Sequence, residues 1–231
     1  MSVLEARSRD EFRSEVVRFS QRLGFNTVSA ITVIDNPLAE PEFIAVDNAP
    51  LAYRDAIQDV SCGRRDPVMQ HCKMQSVPII WNQDTYTARG LGDLWESQAK
   101  FGYRTGVCLA LHMPEGRHFV LGVDREQPMP KDPIEMTRMV ADLQLFAVHA
   151  QDAALRILVP ASAQPERPAL TPRELESLRW TMDGKKAWEV GESMGISERT
   201  AALHINNATH KLGCTDKHQA VLKALRLGLI R

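Results

Sequence analysis

The sequence predicts an α/β fold: an N-terminal α/β/α sandwich on a mixed, largely antiparallel sheet, followed by a C-terminal all-α domain of four helices. Three observations carry this. At 231 residues the chain exceeds what one small domain commonly needs, on a prior of roughly 100–200 residues each. Apolar spacing alternates between strand and helix periods through Leu158, whereas from Ala169 onward only capped helical segments recur. Between them, Val159–Pro168 reads VPASAQPERP, with three prolines and no apolar periodicity. The expected organisation is therefore 1–159, a linker over 160–168, and 169–231.

Composition narrows the class. With 44% hydrophobic and 25% charged residues and 28 Lys+Arg against 29 Asp+Glu, the chain is neither disordered nor fibrous. Long apolar runs such as Val28 to Ile34 are broken by Ser29 and Thr32 and fall far short of the roughly 20 residues of a membrane span, so no membrane partner is expected. Charges at Glu5, Arg7, Arg9, Asp10 and Glu11 leave no signal-peptide core, so a cytoplasmic location is expected. The four cysteines have no CxxC spacing, against a disulfide frame or zinc knuckle. The segment from Pro165 on holds 11 Lys and Arg against 8 Asp and Glu, a net of +3, leaving the rest at −4. A mildly basic module is thus attached to a mildly acidic domain.

In the N-terminal part, Phe12, Val16, Phe19 and Leu23 have helical spacing, with Ser8 and Glu11 placed as a capping box. Strands are expected at Asn26 to Ile34, Glu42 to Asp47, Val77 to Trp81, Thr105 to His112 and His118 to Asp124. MPEGR makes the last two a hairpin. Helices are expected at Ala52 to Val60, Pro67 to Met74, Leu91 to Phe101 and Pro133 to Leu158.

In the C-terminal part, Thr171, Pro172 and Glu174 form a capping box with proline at the first helical position, and that helix stops at Asp183-Gly184. A second runs from about Ala187 to Met194, and Ser197 caps a third that runs to Leu212-Gly213. The intervening Gly195-Ile196-Ser197 has the turn length of a helix-turn-helix. Asp216 and Gln219 predict a capping box for a fourth helix with Val221, Leu222, Leu225 and Leu229 as its apolar stripe. On the third helix Ala201, Ile205, Ala208 and Leu212 face inward, leaving Arg199, Ala202, Leu203, Asn206 and His210 for a major groove. Asn206 suits adenine, and Ala202 or Leu203 suits a thymine methyl. Thr200, Lys185 and Lys186 are placed to hold phosphates. The same spacing is also that of an ordinary helical hairpin with a polar face.

Over about sixty residues, the run from Leu170 to Ile230 resembles the LuxR-type DNA-binding domain, whose third helix is the recognition helix. Glu174, Leu178, Trp180, Gly184, Lys185, Glu189, Ile196, Ser197, Thr200, His204, Asn207, Lys211 and Leu212 carry the likeness. Three positions depart from it: Lys186 replaces a capping Thr or Ser, Ala201 a Val, and Ala202 a DNA-contacting Lys. The first loses a side-chain cap of about 1 kcal/mol. The resemblance implies double-stranded DNA as partner.

The N-terminal part resembles the acyl-homoserine-lactone-binding domain of quorum-sensing regulators. Asp66-Pro67-Val68, Trp81 and Phe101-Gly102-Tyr103-Arg104-Thr105-Gly106-Val107 carry this likeness, and Trp95 and Phe101 fall where the family lines its pocket. The likeness implies a small acylated signal, with Asp66 accepting from an acyl amide and Trp81 walling a lactone ring. Asp66 equally suits an N-cap with Pro67 at the next position, and Trp81 a core residue. Where the family has Tyr, Trp and often Tyr, this chain has Ala49, Tyr53 and Ile57. A hydroxyl on the hairpin strand is replaced by Val120 or Gly122. Each lost donor to a buried carbonyl costs on the order of 1–3 kcal/mol, which implies shifted ligand selectivity.

No P-loop, HExxH or GxSxG occurs, and Gly90-Leu91-Gly92 lacks the rest of a dinucleotide loop, so neither an enzyme nor a cofactor is expected. The seven histidines do not cluster at metal-ligand spacing. The expected protein is a homodimeric transcription regulator that reads a two-fold symmetric site, with Pro133 to Leu158 and Val221 to Leu229 as candidate dimer surfaces. Two alternatives are a ligand-independent regulator with a vestigial pocket and a module that pairs with and inhibits another regulator.

Overall fold

Alternation along the first strand sets the architecture of the N-terminal unit. In β1 (Thr27–Ile34), Val28 and Ala30 enter the larger core, while Ser29 and Ile31 point to the opposite face. The computed structural model describes residues 2–34, 41–56, 65–160 and 168–231, and the chain divides into units Met1–Ala161 and Ser162–Arg231. Residues 161–167, the middle of the expected linker, lie outside the described residues.

β1 lies between β2 (Glu42–Asp47) and β5 (Arg117–Arg125); β4 (Thr105–Met113) and β3 (Ile79–Trp81) complete the order β2-β1-β5-β4-β3. All pairings among the described strands are antiparallel. β3 begins at Ile79 rather than the expected Val77, consistent with Pro78 having no N–H for a ladder. The β4–β5 connection is one 3-10 turn, Pro114–Gly116, with Gly116 at φ 70.

One sheet face is covered by α1 (Arg9–Arg22) and α6 (Pro133–Leu158). Phe12 and Val16 from α1 and Met139, Leu143, Ala147, Ala150, Ala153 and Ala154 from α6 meet Val107, Leu109, Phe119, Leu121 and Val123 of the sheet. The alanine row permits close approach, and Phe19 stacks on Phe146 with centroids 3.8 Å apart. Arg156 donates to the Ala6 and Leu4 carbonyls at 2.8 and 3.2 Å, fastening the N-terminal segment to α6. At the α1 start, Ser8 accepts from Glu11 N. The Glu11 carboxylate, however, accepts from Arg7 N at 2.7 Å, one residue earlier than the expected capping box requires.

The other face is covered by shorter helices: α2 (Leu51–Ala56), α3 (Pro67–Met74), α4 (Gln83–Thr87) and α5 (Gly92–Ala99). Residues 57–64, and with them the rest of the helix expected to reach Val60, lie outside the described residues. Short α4, absent from the expectations, is held by an Asn82–Thr85 capping box.

The C-terminal unit is α7 (Pro172–Met182), α8 (Ala187–Met194), α9 (Glu198–Lys211) and α10 (Lys217–Arg226). Thr171 and Glu174 form the expected box. Glu174 is buried and its Oε2 also accepts from Lys211 Nζ at 2.9 Å, joining the α7 start to the α9 end. Burial pushes that carboxyl up, but the Lys211 and Thr171 donors outweigh it and leave it lowered. Lys186, having no acceptor, caps nothing with its side chain; only the returning bond from its N–H to Glu189 remains, at 2.8 Å.

Two expectations for α10 are corrected. Asp216 accepts from both His218 N and Gln219 N, but the Gln219 side-chain oxygen accepts from Thr215 N and Oγ1 rather than from Asp216 N. The inward stripe is Ala220, Val221, Ala224 and Leu227. Leu222 and Leu225, about 100° further round the helix from their predecessors, are 54% and 39% exposed.

Gly195 takes φ 66 in the α8–α9 turn, and Ile196 N donates back to Gly191 O at 2.9 Å. A Cβ on Gly191 would lie 2.9 Å from Ile196 O and 3.1 Å from Glu198 N, so only glycine lets the turn close on α8. Gly191→Ala is expected to destabilise this unit by about 1–3 kcal/mol, read by calorimetry of the full chain as a selective loss in its transition.

Candidate functional site

The short helices on the second face of the sheet leave a cavity of about 420 Å³ over β1, β5 and β4. Its size is that of a small-molecule site. Of the expected ligand residues, Ala49, Tyr53, Asp66, Trp81, Val120 and Gly122 all line it. Both candidates for the replaced hydroxyl, Val120 and Gly122, therefore face the space, being two apart on one strand. Ile57 lies outside the described residues.

Trp95 and Phe101 do not line the cavity; both pack behind it. Trp95 donates from Nε1 to Arg104 O at 3.1 Å, and Phe101 meets Tyr53 edge-on at 5.7 Å. Tyr53 in turn stacks on Tyr103 at 4.0 Å, which fixes its ring at the cavity wall. Trp81 is buried, edge-on to Tyr86 at 5.8 Å, with its carbonyl accepting from Thr105 Oγ1 at 2.6 Å.

Asp66 is the N-cap that its sequence position suits, and its second oxygen lies at the cavity wall. Its Oδ1 accepts from Val68 N and Met69 N at 2.7 and 3.1 Å, capping α3, while Oδ2 accepts from the Tyr86 hydroxyl at 3.2 Å at the cavity wall. Burial raises its pKa in spite of these three donors.

Tyr86, Gln98, Tyr103 and Asp124 are among the further lining residues that were not predicted as ligand residues. Tyr86 comes from the unexpected α4. Gln98 on α5 is buried beside the Tyr86 phenol, and its Nε2 completes no hydrogen bond of ordinary geometry. Tyr103 was seen only as part of a motif. Asp124 was the most legible, since Val120, Gly122 and Asp124 share one face of β5. The Asp124 carboxyl is buried, pushed up to about 8 by desolvation and, secondarily, by the charge of Asp66, against a lowering bond from Thr27. Gly106 opposite it is required: a Cβ there would sit 2.3 Å from Val123 O and 2.9 Å from Asp124 Oδ1. Cys108, which lines the cavity, and Cys72 behind it are buried thiols with Sγ atoms 3.4 Å apart.

In the C-terminal unit, Arg199, Leu203, Asn206 and His210 are exposed along α9, with Ala202 and Thr200 half-exposed. Leu203 is 56% exposed. Ala201, Ile205, Ala208 and Leu212 are buried beneath. Thr200 is engaged in the cap, its Oγ1 2.8 Å from Ser197 Oγ. Lys186 is exposed, whereas Lys185 is drawn over the Trp180 ring at 3.9 Å and donates to Ser193 at 2.8 Å. Of the two lysines expected at phosphates, one is thus already occupied.

The Asp124 shift has a definite sign. Unfolded, the group ionises near its usual value of 3.8; folded, it keeps its proton to about 8. Between those values unfolding releases a proton, so stability falls as pH rises, by at most about 1.4 kcal/mol per unit. Asp124→Asn is expected to flatten this loss, measured as urea midpoints of both proteins between pH 5 and 8.

Comparison with known proteins places both units. Residues 8–154 match the autoinducer binding domain, and residues 168–224 match the luxR family of bacterial regulatory proteins. Transcriptional activator protein AhyR of Aeromonas hydrophila is 28% identical over 96% of this chain and 86% of its own length. Transcriptional activator protein SolR of Ralstonia nicotianae is 30% identical over 94% and 90%. The crystal structure of Escherichia coli SdiA has a TM-score of 0.72 at 25% identity, covering 98% of this chain and 94% of that one. A structure of SdiA in complex with octanoyl-rac-glycerol gives 0.71 at 25% identity, covering 98% and 91%. These relatives are regulators rather than enzymes, and the chain belongs to the LuxR-type quorum-sensing transcription regulators, with an autoinducer-binding domain and a helix-turn-helix domain.

Proposed function

We propose that this regulator binds a small acylated signal in the N-terminal cavity and reads a two-fold symmetric DNA site as a homodimer. The observation that carries the first part is the convergence of Tyr53, Asp66 and Trp81, distant in sequence, on one 420 Å³ space with apolar walls from Ile31, Val68 and Val120. An acyl amide matches it, its chain on the apolar wall and its N–H toward the Asp66 carboxylate. The octanoyl compound bound by SdiA supports the class of ligand.

The second part is supported by α9, whose exposed side chains give one module few groups to read with. Exposed apolar residues on α6 (Leu145 and Val148, 62% and 51%) and on α10 (Leu222 and Leu225) offer surfaces for pairing. Neither helix needs these side chains for its own core.

Asn206→Ala is expected to weaken binding to a selected operator by about ten-fold or more and to relax preference at one base pair, read by gel shift against single-base variants. Leu145→Glu with Val148→Glu is expected to shift the protein toward monomer in analytical ultracentrifugation. Unchanged mass together with unchanged operator affinity would remove α6 as the pairing surface.

A further inference from the structure

We infer that the cavity selects an acyl amide whose head carries a protonated amine, held by Asp124 with the amide carbonyl on Gln98; this rests on the acyl-signal reading above. The argument begins with the charges lining the space. Among the described residues, three carboxylates line it, from Asp47, Asp66 and Asp124, but only one cation, Arg54. Arg54 is already paired with Asp47. Asp66 is supplied with two backbone N–H groups and the Tyr86 hydroxyl.

Asp124 has no comparable partner. It is 9% exposed, and its one side-chain donor is Thr27 Oγ1 at 3.4 Å, a hydroxyl equally distant from the Asp124 carbonyl. One proton thus serves two acceptors at the limit of hydrogen bonding. Thr27, two residues before Ser29, holds the carboxyl from the β1 side, and Gly106 of β4 clears the space beside it.

A buried carboxyl with so little compensation either keeps its proton or awaits a cation. A second observation from a different element favours an incoming ligand. Gln98 on α5, 6% exposed, lines the same space; its side chain lies near enough to the Tyr86 phenol to oppose the rise that burial gives that group's pKa, yet Nε2 completes no hydrogen bond of ordinary geometry and has donor capacity for a ligand acceptor. An amide carbonyl satisfies Gln98, an ammonium satisfies Asp124 and the nearby charge of Asp66, and the apolar wall remains for the chain. A lactone head offers Asp124 neither a charge nor an N–H donor beyond the single amide.

The test compares three ligands sharing one octanoyl chain, by calorimetry on the full chain at neutral pH. They are N-(2-aminoethyl)octanamide, its neutral counterpart N-(2-hydroxyethyl)octanamide, and octanoyl-homoserine lactone. The amine is expected to bind at least ten-fold tighter than either neutral compound. Asp124→Asn is expected to abolish that preference, and Gln98→Met to weaken both octanamides. Equal or tighter binding of a neutral compound, or a preference that survives Asp124→Asn, overturns the amine assignment while leaving the acyl-signal reading in place. Binding of none of the three overturns that reading and the amine assignment with it. Should Asp124→Asn fail to fold, the ranking on the unsubstituted protein still decides.

Discussion

A sheet that is apolar on both faces must be covered twice, and the helices available here are unequal to the two tasks. Helix α1 has 14 residues and α6 has 26, long enough to cross the sheet and close its first face with phenylalanine, leucine and a row of alanines. Among the described residues, the second face receives helices of five to eight residues, each about a turn or two long. Short rods joined by loops cannot tile a twisted sheet at interior density, and the space they leave is the cavity. The binding site is in this sense a consequence of helix length, and the side chains then determine what it can hold.

What anchors this second layer is polar. Asp66 starts α3 with one carboxylate oxygen and holds the Tyr86 hydroxyl of α4 with the other, so one side chain fixes two helices at the cavity mouth. Tyr86 then supports Trp81, and Thr105 holds the Trp81 carbonyl. A structural cap and a ligand acceptor are usually weighed as competing accounts of an Asp-Pro pair. In this chain the capping oxygen is the one that faces the helix, and the second oxygen retains capacity to accept from a ligand.

How much of this was legible follows from the range of the forces involved. Caps are local, and Thr171, Ser197 and Asp66 mark helix starts that the structure reproduces at Pro172, Glu198 and Pro67. Capping partners a residue away, such as Glu11 with Arg7 or Gln219 with Thr215, are not fixed by spacing alone. The cavity was half legible: alternation from Val120 reaches Asp124, yet Gln98 and Tyr86 sit on short helices whose orientation depends on packing across the sheet. Family position assigned Trp95 and Phe101 to the wall, but the Arg104 carbonyl and the Tyr53 ring hold them behind it. The local partners of Lys185 were not legible either, because its contact with the Trp180 face depends on packing rather than on spacing.

That contact bears on how the reader works. Phosphate contacts supply a large share of the affinity of a DNA-binding domain, and its salt-dependent part comes from cations. With Lys185 over an indole, Lys211 on the buried Glu174 carboxylate and Ala202 offering no charge, α9 is left with Arg199 and the exposed Lys186 nearby. In the proposed function, such a surface reads bases through Leu203 and Asn206 better than it grips the backbone. Selectivity without grip favours a design in which two weak readers are joined, since linking multiplies affinity where adding charge would raise non-specific binding. In the proposed dimer, what the sensor contributes is therefore first of all a second reading helix, and a ligand that alters pairing or spacing would act on occupancy without touching the side chains that read the sequence.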